Sequence, residues 1–402
     1  MQTPRFIQIH TLHTYPAALL NRDDAGLAKR LPLGDAVRTR ISSQCLKRHW
    51  RVADDVHALA RLDVPMAIRS RSLLELIKNR LLENGVSEPL AMAAAEALRD
   101  AGLLDKGGKG KKGEDALKTG QAVMLGKAEI DYLVKNCADL ANAGNTTESD
   151  LKSSIGKWLN GKDEKRNIDV LKDGSSSGLE SALFGRMVTS DVLASRDAAV
   201  YVAHAFTVHQ AQVENDYFTV VDDLMQESGE LGSAGIFDTE LASGLYYGYV
   251  VVDVPQLVQN LEGIDFKDCF ASNTPSEKRE LAGRVVDHLL QLIAQVSPGA
   301  KRGSTAPFDW AKFMLVEAGD WQPRSLAGAF HDALPLNDKS APIRSRAVQK
   351  MIGEMGALDE AYGATTARRF LAVDKVDIQR AERLTLPQLS AWVKEAITNG
   401  KC

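Results

Sequence analysis

Residues 36–51 read AVRTRISSQCLKRHWR, and the fold turns on them. Val37, Thr39 and Ile41 alternate with Arg38 and Arg40, the period of a short strand with both arginines on one side. Ser42 and Ser43 then suit a helix N-cap, because a serine hydroxyl accepts from an orphan amide of the first turn. In the helix that follows, Leu46, Trp50, Ala53 and His57 are spaced to share one face. Lys47 and Arg51 lie four apart on another. A helix N-terminus, two serines, the amide of Gln44 and several cations together suit contacts with phosphates. The competing reading is a solvated basic helix face, the commoner fate of such a run. Between Arg22 and Arg51 eight lysines and arginines stand against three aspartates, in a chain of net charge −4. That local surplus says "anion" without saying which.

Working outward, 402 residues are long for one compact domain and favour two, or one with large insertions. A hydrophobic content of 44% and a charged content of 25% are those of an ordinary globular protein. The acidic balance excludes a simple cationic nucleic-acid binder, so any such site must be a local groove. Cys45, Cys137, Cys269 and Cys402 are far apart, which points to neither a zinc site nor a disulfide framework and fits a reducing cytosol. The first residues, MQTPRFIQIH, lack the apolar run of a signal peptide, and the apolar stretch near 244–252 is too short to span a bilayer. The expected location is cytoplasmic, with no membrane partner.

In chain order, Arg5–Thr14 reads as a strand with Ile7 and Ile9 on one side and Gln8 and His10 on the other. Residues 69–160 read as helical, with Gly85 and Gly102 as stops. KGGKGKKG at 106–113 is a cationic loop whose composition alone favours a flexible surface segment. DGSSSG at 173–178 is the clearest internal boundary. Ala194–Gln212 is expected to be an alanine-rich helix, Tyr217–Val221 a short strand, and 222–243 irregular or hairpin-like. Gly244–Val254 is the second strong strand. Glu277–Val296 is a long amphipathic helix, followed by the basic loop SPGAKRGSTAP at 297–307 and a strand near Lys312–Glu317. Short helices are expected at 325–334, 342–355 and 386–398. A strand–helix–strand core with helices on one face is α+β and compatible with a ferredoxin-like order.

No catalytic set emerges. The eight histidines include no HExxH or close metal-ligand spacing. His10 and His13 on the first strand are conceivable acid–base groups. Asp23-Asp24 and Asp222-Asp223 are conceivable Mg²⁺ ligands without an evident third. There is no Walker A loop, no GxSxG elbow and no dinucleotide fingerprint. No cofactor and no metal are expected.

Six segments occur in one order: FIQIHTLHTYPAALLNRDD, VRTRISSQCLKR, GRMVTSD, AHAFTVHQ, DYFTVVDDL and SPGAKR. Together they resemble the CasC-type backbone subunit of the type I-E CRISPR surveillance complex, Cascade. The resemblance implies a modified RRM, or ferredoxin-like, palm formed by residues 1–60 and 180–402. It implies helical fingers at 60–180 and a β-hairpin thumb near 213–244. It implies a non-catalytic subunit that binds crRNA and polymerises head to tail along it, an arrangement that builds open helices. The subunit presents the guide for pairing with target DNA in antiviral defence. Its partners are crRNA, the target DNA strand, further copies of itself, other Cascade subunits and, indirectly, a recruited nuclease-helicase.

Residue by residue, Arg22, Ser42, Gln44, Lys47, Arg48 and Arg51 stand where the family's palm grips the guide backbone. Arg38, Arg40, Lys301 and Arg302 join them as cations of the matching runs. Met187 stands where an apolar side chain packs on guide bases. Tyr217, Phe218, Thr219 and Val221 stand at the thumb, which wedges between bases. Read without the resemblance, Tyr217 and Phe218 are core aromatics of a strand. Lys106, Lys109, Lys111 and Lys112 are DNA-binding candidates by position in the fingers.

Two other classes compete with this reading. One is an RNA endonuclease on the same fold using Asp23, Asp24, His10 or His13. The other is a self-assembling structural protein that needs no nucleic acid.

Overall fold

The computed structural model describes residues 2–100, 117–144, 147–160, 177–186, 196–221, 233–363 and 366–402; for 218–221 and 233–237 it describes the backbone. The chain divides into two units, one formed by residues 1–59, 201–254 and 283–402, the other by 60–200 and 255–282. The architecture is mixed α+β.

The first unit is built on a large mixed sheet. Its strands are β1 (Phe6–Ala18), β2 (Arg30–Leu33) and β3 (Ala36–Ile41). After β4 (Ile68–Ser70) and β5 (Val123–Leu125), which pair with each other in the second unit, come β6 (Val200–Val202), β7 (Ala205–Thr207), β8 (Gln212–Val221) and β9 (Ser233–Asp253). The last three are β10 (Phe313–Gly319), β11 (Ala367–Ala372) and β12 (Ala381–Arg383). The order is β12-β11-β10-β1-β9-β7-β3-β2, with β6 and β8 also paired to β9. The central pairs are antiparallel, β1 running from Phe6 opposite Gly319 to Leu12 opposite Phe313.

From Phe6 to Leu12 every residue of β1 is buried. Helices on one face alone do not account for this; the strand is covered on both. Gln8 and His10 tolerate burial because they are bonded: Gln8 Oε1 accepts from Tyr249 Oη at 2.7 Å and from Arg324 N at 2.8 Å. On one side Leu12, Tyr247, Leu315 and Phe370 pack with Phe330, Met351 and Met355, the last two from the helix Ile343–Tyr362.

The segment 194–212 is not helical where it is described. It carries β6, β7 and the first residue of β8. Val200, Tyr201, Val202, Phe206 and Thr207 are β-branched or aromatic, and pairing to β9 outweighs the alanines around them. β11, which periodicity did not pick out, closes on β10.

The second unit contains the expected helices. Leu73, Leu74, Ile77 and Leu81 of the helix Leu73–Glu83 join Ala91, Leu98, Ile130, Leu133, Leu151 and Ile155 in one core. That helix stops at Gly85, at φ 82°, where Val86 N donates back to Leu81 O at 3.0 Å and Gly85 N to Leu82 O at 3.0 Å. Glycine takes this left-handed position without Cβ strain.

Candidate nucleic-acid interface

The helix α1 (Ser43–Arg51) begins where the sequence places it. Ser42 is extended, at φ −70° and ψ 150°, and its Oγ accepts from Cys45 N at 3.3 Å. Ser42 N donates to Asn21 Oδ1 at 2.9 Å, tying the helix start to the polar loop after β1. Trp50 is buried, and Cys45 and Leu46 pack on Tyr15, Leu20, Ile41 and Tyr246. That face is fixed by burial, so the opposite one is presented outward: Gln44 and Arg48 are exposed, Lys47 and Arg51 half-buried. There is no acid in the first turn, and Arg48, His49 and Arg51 stand in the last, where the helix dipole favours cations. Partial burial lowers the Lys47 pKa.

The helix is shorter than its apolar spacing implies. It ends at Arg51, with Val52 N donating to Arg48 O at 3.1 Å, so Ala53 and His57 do not extend its face. Asp55 Oδ1 accepts from His57 N at 2.8 Å, a local turn bond that competes with continuing the helix.

Three other segments carry the remaining candidate cations. Arg40, half-buried on β3, donates from Nε to Arg30 O at 3.2 Å, and its Nη1 lies 3.0 Å from His204 Nδ1. Lys301 and Arg302 are exposed; Lys301 Nζ bonds Thr239 Oγ1, and Arg302 Nη2 donates to Ser297 O at 3.3 Å. This loop is held to the end of β1 by Ala300 N donating to Leu19 O at 2.8 Å. Arg22 is exposed on a bridge to Ala28.

Three titratable groups report on the local field. His204 is lowered by burial and further by Arg40 and Lys29. His49 is lowered by burial, with Arg302 and Arg48 acting in the same sense. Burial pushes the Cys45 thiol up to about 11, against the pull of Lys29 and Arg48. Lys29 and Arg48 thus bear on Cys45, Arg302 and Arg48 on His49, and Arg40 and Lys29 on His204. Lys29 and His204 were not singled out by sequence. Lys29 belongs to the charge surplus between Arg22 and Arg51, and His204 lies between β6 and β7, not in the helix that its alanine-rich segment suggests.

Arg38 corrects an expectation. Its side chain is fully buried, with Nη1 donating to Thr207 O at 3.2 Å and Nη2 to Phe330 O at 3.3 Å, His331 O at 3.2 Å and Leu33 O at 3.4 Å. Gly34 makes this possible: a Cβ there would stand 1.8 Å from His331 O. Arg38 is a strut of the fold, and a phosphate cannot reach it.

Of the groups considered for catalysis, Asp23 and His10 make structural bonds, Asp24 is exposed, and Asp222 and Asp223 lie outside the described residues. Asp23 Oδ1 accepts from Ala25 N at 2.9 Å and Leu27 N at 3.0 Å, shaping its own loop. His10 is buried between Tyr247 Oη, 2.9 Å from Nδ1, and Glu317 Oε2, 3.2 Å from Nε2. Burial lowers His13 to about 4. Among the described residues no three His, Cys, Asp or Glu side chains converge on a metal position, and no helix is long and apolar enough to cross a membrane.

Tyr217 is 63% exposed on β8, opposite Asp238 of β9, so it is no core aromatic. The backbones of Phe218, Thr219 and Val221 pair with Phe237, Ile236 and Ser233; their side chains lie outside the described residues. Met187, Lys106, Lys109, Lys111 and Lys112 also lie outside them.

A family model described as "CT1975-like protein" matches residues 7–397. A solved chain titled "CRISPR RNA-guided surveillance complex, pre-nicking" is similar at 29% identity and a TM-score of 0.75, covering 97% of this chain and 100% of that one. A second, titled "CRISPR RNA-guided surveillance complex", is similar at 26% identity and a TM-score of 0.67, covering 97% and 99%. No curated protein sequence matches.

Proposed function

The chain belongs to the CT1975-like family and is a non-catalytic, crRNA-binding backbone subunit of a type I-E Cascade, and from that premise we propose how it holds its guide. The guide's phosphates lie along α1, contacted by Ser42, Gln44, Lys47, Arg48 and Arg51, with Arg22, Arg40, Lys301 and Arg302 at its flanks. The observation that carries this reading is α1 itself, capped by Ser42, with no acid in its first turn and Arg48 and Arg51 in its last, where Arg302 of the 297–307 loop acts on His49. Met187 packs against guide bases. The β8–β9 ribbon is the thumb, which enters the base stack through Tyr217, Phe218, Thr219 and Val221; an apolar wedge replaces the stacking it interrupts.

In this reading the sheet unit serves as palm and the helical insertion as fingers, whose Lys106, Lys109, Lys111 and Lys112 hold the target DNA strand. Copies join head to tail by a heterologous contact, which lets the filament follow the guide. Guide–target pairing reads sequence, while the protein holds backbone and shape. Other Cascade subunits complete the cytoplasmic complex, and cutting is left to a recruited nuclease-helicase.

The test is the charge reversal Lys47→Glu/Arg51→Glu in protein purified from cells carrying a CRISPR array. The expected result is loss of bound RNA, read from the 260/280 nm absorbance ratio, with an unchanged circular dichroism spectrum. A folded variant that still carries RNA of one defined length overturns the reading.

A further inference from the structure

Phe308 and Trp310 expose 71% and 68% of their surface, yet Asp309 between them is held from several sides. Asp309 N donates to Ser297 Oγ at 2.9 Å, and that hydroxyl donates to Asp309 O at 3.0 Å. The Asp309 carboxylate accepts from Thr14 N at 2.7 Å and pairs with Lys312 at 2.5 Å. Two residues on, Ala311 N donates to Ala294 O at 2.8 Å. On the other side Pro307 is buried, so close to Gly299 that a Cβ there would come within 2.5 Å of its ring. A pinned backbone thus carries two aromatic side chains outward, neither of which the core uses.

The same loop is cationic. Lys301 and Arg302 are exposed, and Ala306 N donates to Arg302 O at 3.0 Å, folding the aromatic segment back toward them. Lys301 and Ala306 hold left-handed φ values of 50° and 39°, which close that turn. Gly299 and Arg302 both act on His49 of α1, so the loop adjoins that helix. Exposed cations beside rigid exposed aromatics are the combination that binds single strands, the cations following phosphates and the rings taking bases. A protein-docking patch calls for a continuous apolar surface. Here the exposed neighbours along the loop are Lys301, Arg302, Gly303 and Ser304, with Ala306 the one small apolar residue among them.

We propose that Phe308 and Trp310 form a base-stacking platform for single-stranded nucleic acid, a site separate from the β8–β9 ribbon. The proposal rests on the reading that α1 and the basic loop hold the strand's backbone.

The experiment measures binding of the full chain to labelled oligoadenylate and to a phosphodiester strand of abasic spacers of equal length. Phe308→Ala and Trp310→Ala are each expected to weaken oligoadenylate binding about tenfold. Both should leave the abasic strand unaffected, while Trp310→Phe stays near wild type. Equal weakening on both strands, or none, overturns the platform. Unchanged oligoadenylate affinity with reduced self-association in sedimentation also overturns it and assigns the rings to a second copy of the chain. Lys47→Glu/Arg51→Glu serves as the control. If it loses both strands while the aromatic variants lose nothing, the platform alone falls. If it loses neither, the underlying reading falls with it.

Discussion

The guanidinium of Arg186 lies in a fork on the carboxylate of Glu129, Nη1 at 2.5 Å from Oε2 and Nη2 at 2.6 Å from Oε1, with both side chains buried. Glu129 also accepts from Gly126 N at 2.9 Å at the start of the helix Lys127–Asn142. Arg186 exchanges backbone hydrogen bonds with Arg196, both at 2.9 Å. The arginine of the GRM segment is therefore a structural anchor beside Met187.

Breaking that fork from one side strands a buried charge. Glu129→Gln is expected to cost about 3–5 kcal/mol, and the paired change Glu129→Leu/Arg186→Met to recover most of it. Urea unfolding of the two variants decides. A single variant within about 1 kcal/mol of wild type contradicts the anchoring role.

Arg38 and Arg48 should separate stability from binding. Arg38→Ala leaves several buried carbonyls without their donor and is expected to cost about 2 kcal/mol or more. RNA affinity per folded molecule should stay unchanged. Arg48→Ala, on the exposed face, should leave Tm nearly constant, weaken RNA binding and make the salt dependence shallower by about one unit of slope. The opposite pattern would exchange the two roles.

Acid should destabilise the sheet unit before carboxylates titrate. Burial brings His13 to about 4, below the ordinary 6.5, so it is neutral when folded at pH 6, and burial shifts His10 in the same direction. The unfolded chain takes up protons below 6.5 that the folded chain refuses. Stability therefore falls with pH in that window, by at most about 1.4 kcal/mol per pH unit for each histidine. Burial alone pushes Glu317 up, but hydrogen bonds from His10 and Arg324 hold it well below the carboxylate range. Its contribution is present above about 4.5 and lost only as pH falls further toward its folded value. Thermal melts at pH 7.5, 6 and 5 should show a falling Tm, and His13→Gln should remove part of the slope. A constant Tm over that range contradicts the assignment.

The parts of this molecule legible in sequence are those decided within a few residues. The Ser42 cap, the burial of Trp50 and the Gly85 stop each follow from local chemistry. What escaped depends on distant partners. Alternation places Arg38 and Arg40 on one side of β3, but it does not say that the Phe330–His331 turn covers Arg38 and leaves Arg40 half-open. β6 and β7 lie in an alanine-rich segment whose strand character comes from pairing to β9. α1 ends at Arg51, and the Asp55–His57 turn bond beyond it is one that apolar spacing cannot register. The outward face of α1 was legible because its buried face was. The contribution of Lys301 and Arg302 needed the loop to be seen against Leu19 and His49.

Ser42 allows the cap and the phosphate site to be tested apart. Its Oγ accepts from Cys45 N, and Ser42→Ala should cost about 1 kcal/mol by leaving that amide without its cap. Ser42→Asp keeps a capping oxygen and favours the positive end of the helix, so the folded state should be nearly as stable as wild type. The same carboxylate would repel a phosphate approaching the helix start. The expected outcome is a melting curve like that of the wild type with RNA affinity reduced at least tenfold, and a reduction that lessens at high salt as screening shortens the repulsion. If Ser42→Asp binds RNA as tightly as wild type, the guide does not pass over this end of α1, and the cations of Arg48, Lys301 and Arg302 must be serving a strand that runs elsewhere.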